Sequence, residues 1–113
     1  MLVVDDEADV RFVVRWAFED AGHEVIEASH GASAVAEIRE ALPDLVITDI
    51  MMPVMDGREL IVWLRARPET LGIPILALTG FHADDVGADC ALRKPVGVAE
   101  VRDAGLVLLG GRS

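Results

Sequence analysis

The chain has 113 residues, which suits one compact domain and is too short for two. Its formal net charge of −10 disfavours binding to nucleic acid or anionic membranes, and favours a divalent cation or a basic partner surface. No apolar run approaches the roughly 18 residues of a membrane span, and the single cysteine allows no internal disulfide. We therefore expect a cytoplasmic location, because a reducing compartment is the default for such a chain.

Apolar runs alternate with amphipathic stretches along the whole chain. In order, the pattern predicts a strand at 2–4, a helix at 8–21, a strand at 24–28, a helix at 32–41 and a strand at 45–48. It continues with a helix at 58–66, a strand at 74–78, a weak strand at 91–93 and a helix at 98–109. This alternation predicts right-handed βαβ units and a mostly parallel sheet with helices on both faces.

Polar and charged side chains follow the predicted strands at their carboxyl ends, where open parallel sheets bind ligands. These side chains are Asp5, Asp6 and Glu7 after the first strand, Asp49 after the third, Thr79 after the fourth and Lys94 after the fifth. Each one alone has an ordinary explanation, since acids after a strand often start a turn or cap a helix. Clustered carboxylates would raise one another's pKa values, however, and a hard divalent cation would remove that cost.

Four motifs of the chain resemble the response regulator receiver family. They are Val3-Val4-Asp5-Asp6-Glu7, the stretch from Thr48 to Gly57, Ala77-Leu78-Thr79-Gly80, and Lys94-Pro95. The resemblance covers nearly the whole chain, and residues 49–57 are its most specific part. It implies a single receiver domain over residues 1–113. The implied fold is α/β and flavodoxin-like (CheY-like), a doubly wound, five-stranded parallel sheet in the order 2-1-3-4-5.

The resemblance also implies a phosphoacceptor and a metal site. Asp49 would be the nucleophile that takes a phosphoryl group from the phosphohistidine of a sensor histidine kinase or a histidine phosphotransfer protein. Asp6 would bind Mg²⁺ (or Mn²⁺) directly, Asp5 would act largely through water, and the backbone carbonyl of Met51 would complete the protein ligands.

Four further residues take roles from the same resemblance. Thr79 would hydrogen-bond one phosphoryl oxygen, and Lys94 would pair with another and stabilise charge there. A cis peptide bond before Pro95 would aim Lys94 inward, and Gly57 would let the loop turn tightly into the next helix.

Two departures from the family concern the output surface. The segment between the fourth and fifth strands is short, so the family's fourth helix should be shortened or missing. The family's switch aromatic falls on Ala91, which leaves no ring to turn inward, although Phe81 is a candidate substitute. We therefore expect the usual output face, built from the family's fourth helix, fifth strand and fifth helix, to be remodelled.

The first predicted helix is apolar on two sides. The side that should face the sheet consists of Val10, Val13, Val14, Ala17, Phe18 and Ala21. Phe12 and Trp16 lie opposite, one turn apart. Single exposed aromatic residues are common, but two on an otherwise charged face favour a surface for a partner or a homodimer. Trp63, in the third helix, is instead predicted to pack against the core.

Three functions compete. The first is a signalling module in which phosphorylation controls contact with an output protein or with an output domain lost from the chain. The second is a phosphatase, which is disfavoured because Met51 stands where haloacid-dehalogenase-type phosphatases need a second Asp. The third is a phosphorylation-independent interaction module, favoured by Ala91 but not by the complete acidic site. We expect the first, without enzymatic turnover and without direct nucleic-acid or membrane binding.

Overall fold

A computed structural model of the chain describes residues 1–52, 55–80 and 87–110. These residues form β1 (Leu2–Val4), α1 (Ala8–Asp20), β2 (Ile26–Ala28), α2 (Gly31–Glu40), β3 (Val46–Asp49), α3 (Gly57–Arg65), β4 (Ile75–Thr79), β5 (Cys90–Arg93) and α4 (Val98–Gly110). The strands form one parallel sheet in the order β2-β1-β3-β4-β5. The predicted doubly wound sheet and its strand order are confirmed.

The predicted element bounds agree with the structure to within two residues. β2 is the largest difference, because it begins at Ile26 rather than at residue 24. Its partner β1 has only three residues to pair with it, from Leu2 opposite Ile26 to Val4 opposite Ala28. Ahead of β2, the carbonyl of Glu24 accepts a hydrogen bond of 2.9 Å from the amino group of Met1.

Two helices begin one residue earlier than predicted, because each follows a capping side chain. Nδ1 of His30 accepts from the backbone N–H of Ser33 at 3.2 Å, so α2 starts at Gly31. The Asp56 side chain caps α3 in the same way, accepting from the N–H of Glu59 at 3.0 Å. The Glu59 carboxylate accepts in return from the N–H of Asp56, which completes a capping box.

The core lies on both faces of the sheet. β1, β3 and β4 are fully buried, as expected of central parallel strands. One face is covered mainly by residues of α2 and α3, including Ile38, Leu60 and Leu64, and the other by residues of α1 and α4, including Phe18 and Val101. The prediction that Ala21 faces the sheet is wrong. Ala21 is exposed because α1 ends at Asp20.

α1 and α4 approach each other closely at Gly105. This glycine is buried, and a Cβ atom on it would collide with the ring of Phe18. Glycine weakens a helix by about 1 kcal/mol relative to alanine, so its presence in α4 reflects this packing. No helix within the described part of the chain is long and apolar enough to cross a membrane.

The connection between β4 and β5 is short, and Gly87, near its described end, lies against α3. Its described residues, 80 and 87–89, include no helix, in agreement with the prediction that the family's fourth helix is shortened or missing. Gly87 adopts φ +85°, and a Cβ atom there would lie 3.1 Å from Cγ2 of Ile61. Arg65 of α3 anchors the end of this connection by donating to the carbonyl of Gly87 at 3.3 Å and to Oδ2 of Asp89 at 2.8 Å. Phe81, the candidate switch ring, lies outside the described residues.

Candidate functional site

The ends of two neighbouring strands bring three carboxylates together. Asp5 and Asp6 follow β1 directly, Asp49 ends β3, and the two strands pair in parallel with Val4 opposite Thr48. One carboxylate oxygen from each aspartate lies within 4.8 Å of the other two. Asp5 is fully buried, Asp49 is 5 % exposed, and Asp6 is open to solvent. The strand-end residues predicted from the sequence therefore converge.

Local hydrogen bonds hold Asp5 in a fixed position. Its Oδ1 accepts from the backbone N–H of Glu7 at 2.9 Å, and its backbone N–H donates to the carbonyl of Ala28 at 3.1 Å. Its own carbonyl accepts from Nη1 of Arg11 at 2.6 Å. The contact of Arg11 could not be predicted from local pattern, because it depends on how α1 packs on the sheet.

The backbone around Asp49 is held by its neighbours in the turn into α3. The hydroxyl of Thr48 donates to the Asp49 carbonyl at 2.8 Å, and the N–H of Gly57 donates to the carbonyl of Ile50 at 2.9 Å. A Cβ atom at Gly57 would collide with the Asp49 carbonyl oxygen. The start of α3 therefore lies directly against the backbone of Asp49, at a position where only glycine fits.

Lys94 reaches across the pocket from the end of β5. Its Nζ lies 2.9 Å from Oδ2 of Asp5, 3.4 Å from Oδ1 of Asp49 and 3.6 Å from Oε1 of Glu7. The backbone N–H of Lys94 donates to the carbonyl of Thr79 at 2.6 Å, and the peptide bond to Pro95 is cis, as expected. Glu7 belongs to the strand-end motif, but sequence reasoning did not predict its contact with Lys94.

Burial and charge act together on the acid–base properties of the pocket. Burial raises the pKa of Asp5 above its ordinary value, and it does the same for Asp49, whose pKa the neighbouring Asp5 charge raises further. Burial acts to lower the pKa of Lys94, but the hydrogen bonds and charges of Asp5 and Asp49 outweigh it, so the pKa is raised. With one ammonium group among three aspartates, the ionised pocket has an excess of negative charge.

The donor set fits a small, hard divalent cation. Three carboxylate oxygens from Asp5, Asp6 and Asp49 can share one ion, and oxygen is the ligand type that Mg²⁺ and Mn²⁺ prefer. Such an ion would offset the repulsion between the carboxylates. Among the described residues, this is the one group of three or more acidic, histidine or cysteine side chains with metal-like spacing.

The remaining predicted residues lie at the pocket or apart from it. Thr79 is 3 % exposed at the end of β4, while the side chain of Met51 is 61 % exposed beside the pocket. Ala91 is exposed on β5, so no aromatic ring occupies that position. Phe12 and Trp16 lie on the outer face of α1 and are 69 % and 53 % exposed, as predicted.

Comparison with known proteins gives consistent matches. Residues 1–104 match the family model described as response regulator receiver domain. The phosphate regulon transcriptional regulatory protein PhoB of Pseudomonas aeruginosa is 38 % identical over 108 residues, which cover 89 % of this chain and 47 % of PhoB. The chain thus spans about half the length of this curated relative.

Solved structures show the same architecture. The receiver domain of a signal transduction histidine kinase from Syntrophus aciditrophicus superposes with a TM-score of 0.91 at 29 % identity, covering 97 % of this chain and 89 % of that one. The chemotaxis response regulator CheY4 of Vibrio cholerae superposes with a TM-score of 0.88 at 32 % identity, covering 95 % of each chain.

Proposed function

The chain belongs to the response regulator receiver domain family, and on that premise we propose that Asp49 accepts a phosphoryl group from phosphohistidine. The donor is a sensor histidine kinase or a histidine phosphotransfer protein. The observation that carries the proposal is the placement of the Asp49 carboxylate, 3.4 Å from Nζ of Lys94 and in one cluster with Asp5 and Asp6. The proposed unit is one receiver domain over residues 1–113.

In the proposed reaction, a carboxylate oxygen of Asp49 attacks the phosphorus atom, and the bond from phosphorus to the histidine nitrogen breaks. The electron pair of that bond stays on the imidazole, and Asp49 becomes an aspartyl phosphate. Lys94 exchanges part of its pairing with Asp5 and Asp49 for a phosphoryl oxygen. The hydroxyl of Thr79, at the end of the neighbouring strand, donates to another phosphoryl oxygen.

The metal ligands in this proposal are Asp6 directly, Asp5 through water, Asp49 and the backbone carbonyl of Met51. A bound Mg²⁺ (or Mn²⁺) would supply positive charge that offsets the charge of the phosphoryl group. Because Asp49 is consumed as an acceptor and no second acid lies two residues after it, the domain assists its own phosphorylation and dephosphorylation but does not turn over external substrates.

Phosphorylation is proposed to control contact with an output protein, or with an output domain of a longer chain. A cytoplasmic location is part of this proposal and rests on the single cysteine. The second candidate function is a phosphorylation-independent interaction module. The exposed Ala91 and the short connection from β4 to β5 favour it, because the ring and helix that usually respond to phosphate are lacking or reduced.

Intact mass spectrometry tests the acceptor directly. Wild type, Asp49→Ala and the control Asp103→Ala are incubated with acetyl phosphate, with and without Mg²⁺. Asp103 lies on α4, where its side chain is 71 % exposed and distant in sequence from the pocket. We expect a Mg²⁺-dependent gain of one phosphoryl group in wild type and in the control, and none in Asp49→Ala. If wild type gains nothing from acetyl phosphate or from a cognate kinase, the second candidate function replaces the first.

We also propose the outer face of α1, with Phe12 and Trp16, as a surface for a partner or a homodimer. Both side chains are more than half exposed on one side of the helix. Changing both to serine should weaken association with the kinase, or self-association in sedimentation velocity, and leave phosphorylation by acetyl phosphate unchanged. Val107→Ser is the matched control, because Val107 is 73 % exposed on α4. Unchanged association in the double variant would remove this surface from the proposal.

A further inference from the structure

The outer surface of α2 and α3 carries a group of arginines that contrasts with the chain's net charge of −10. We call it the arginine–tryptophan patch and define it as Arg39, Arg58, Val62, Trp63 and Arg67. Val62 is 67 % exposed, and the neighbouring Trp63 is half-buried. The patch thus combines exposed apolar surface with positive charge.

The guanidinium groups of two of the arginines lie over the ring of Trp63. The guanidinium of Arg67 lies 4.2 Å from the centre of the indole ring, and that of Arg39 lies 5.9 Å from it. Nη1 of Arg67 also donates to the carbonyl of Trp63 at 3.1 Å. Stacking on an aromatic ring leaves in-plane N–H groups of a guanidinium able to bind carboxylates. The interpretation of Trp63 as a packing residue is therefore incomplete, since it also positions charge.

Within the described part of the chain, the arginines of the patch form no ion pair with a carboxylate. Among the described residues, the basic side chains paired with carboxylates are Arg11, Arg15, Arg65, Lys94 and Arg102. The basic side chains without such a pair in that part of the chain are Arg39, Arg58, Arg67 and Arg93, and the first three lie in the patch. Three acids border the patch. Glu59 is engaged in the capping box of α3, whereas Glu40 and Glu69 lie in the groove beside Trp63 and, among the described residues, form no ion pair with the arginines.

We propose that the arginine–tryptophan patch binds an acidic, partly apolar segment of a partner protein. Carboxylates of that segment would pair with Arg39, Arg58 and Arg67, and an apolar side chain would cover Val62 and the exposed part of Trp63. The arginines without an ion pair favour an acidic partner, and Val62 with the exposed part of Trp63 offers that partner an apolar contact. Nucleic acid fits less well, because a phosphate backbone offers no apolar side chain to cover Val62.

The patch is independent of the proposed phosphoryl transfer, since none of its residues belongs to the acidic pocket. Arg58, Val62 and Trp63 are nevertheless on α3, which starts at Gly57. The N–H of Gly57 donates to the carbonyl of Ile50, next to Asp49. A partner on α3 would therefore touch an element that is anchored at the pocket.

Fluorescence anisotropy with labelled peptides tests the patch on the full chain at roughly 0.15 M salt, where a Debye length of about 8 Å screens the net charge of the domain. The probe is an amphipathic peptide of Glu and Leu, compared with a Lys–Leu peptide and with a Glu–Gly peptide. We expect the Glu–Leu peptide to bind most tightly, and Arg58→Glu to weaken its binding by about threefold to tenfold, as reversal of an exposed charge allows. Arg93→Glu is the matched control, because Arg93 is exposed and unpaired on β5. Binding to this variant should stay close to that of wild type.

A second pair of variants tests the apolar part. Val62→Ser should weaken binding of the Glu–Leu peptide, whereas Val107→Ser should not. Both valines are exposed, so neither change should unfold the domain.

Four results would overturn the proposal. The first is equal weakening by Arg58→Glu and Arg93→Glu, or no effect of Val62→Ser. The second is tighter binding by a short DNA duplex, which would identify a site for general polyanions. The third is a dimer of wild type that Arg58→Glu dissolves, which would make a second copy the occupant. The fourth is no binding of the Glu–Leu peptide up to about 1 mM, a limit near 4 kcal/mol of binding free energy.

Discussion

Replacing Gly57 with alanine should destabilise the domain, because no space exists for even one methyl group. A Cβ atom there would lie 2.8 Å from Cα of Ile50 and 2.9 Å from the carbonyl carbon of Asp49, and closer still to the Asp49 carbonyl oxygen. All three neighbours are main-chain atoms, so no side chain can rotate to make room. The start of α3 must move away from β3 instead.

The contacts set the size of the effect. Restoring ordinary separations of about 3.5 Å requires a shift of roughly 1 Å, which would break the 2.9 Å hydrogen bond from Gly57 to the Ile50 carbonyl. Losing that bond costs about 1 kcal/mol, and overpacking costs about 1–3 kcal/mol. Better helix propensity returns at most about 1 kcal/mol. The free energy of unfolding should therefore fall by about 1–3 kcal/mol, a substantial part of the roughly 5–15 kcal/mol typical of a domain.

Urea denaturation followed by circular dichroism measures this change. With a change of about 2 kcal/mol and an m-value of about 1–3 kcal/mol/M, the midpoint should fall by roughly 0.7–2 M. Gly72→Ala is the matched control, because a Cβ atom there would meet nothing within 4 Å and its φ is not in the left-handed region. If Gly57→Ala unfolds at the same urea concentration as wild type and Gly72→Ala, the turn yields easily and does not hold Asp49 in place.

Three further outcomes follow from the packing and the charges. Because burial raises the pKa of Asp5 and Asp49, the folded chain holds protons that the unfolded chain loses near pH 3.8. Without divalent cations, the free energy of unfolding should therefore fall as the pH rises through and above that value. Urea midpoints measured across this pH range should fall less in Asp49→Asn than in wild type. Arg65→Met removes hydrogen bonds to three backbone carbonyls and one carboxylate. It should lower the free energy of unfolding by about 2–3 kcal/mol and speed hydrogen exchange in β5. Unchanged exchange would contradict the role of Arg65 in anchoring the residues that lead into β5. Gly105→Ala should lower the thermal midpoint, because the added methyl group meets the ring of Phe18; a higher midpoint would mean that helix propensity outweighs packing there.

Much of the fold could be predicted because its signals are local. The period of apolar residues located every strand and helix in the described part of the chain, and strand-end residues such as Asp49 and Lys94 indicated where the chemistry gathers. The errors lie at boundaries. Ala21 was placed on the buried face because the helical pattern has no sharp end, and β2 was predicted too long because its length depends on β1. A pattern within one segment carries no information about the length of its partner.

The contacts that could not be predicted join distant segments through long side chains. Arg65 of α3 donates to Gly87 and Asp89, which lead into β5. Arg39 of α2 approaches Trp63 of α3. Glu7 reaches Lys94, although the two are far apart in sequence. An arginine or glutamate on a helix or in a turn has the same local pattern whether it is solvated or bound, so only the packed structure distinguishes the two cases.

The ammonium group of the acidic pocket comes from the far end of the chain. Lys94 bonds Asp5 across 89 positions, and β5 joins the sheet only through β4. Contacts of such long sequence separation form late, since the entropy of closing a large loop must be lost first. A growing polypeptide that has emerged from the ribosome only up to the end of β4 therefore contains the three aspartates but not the ammonium group of Lys94. The pocket acquires its final charge only when the last strand docks, so its chemistry becomes available at the same moment as the finished fold.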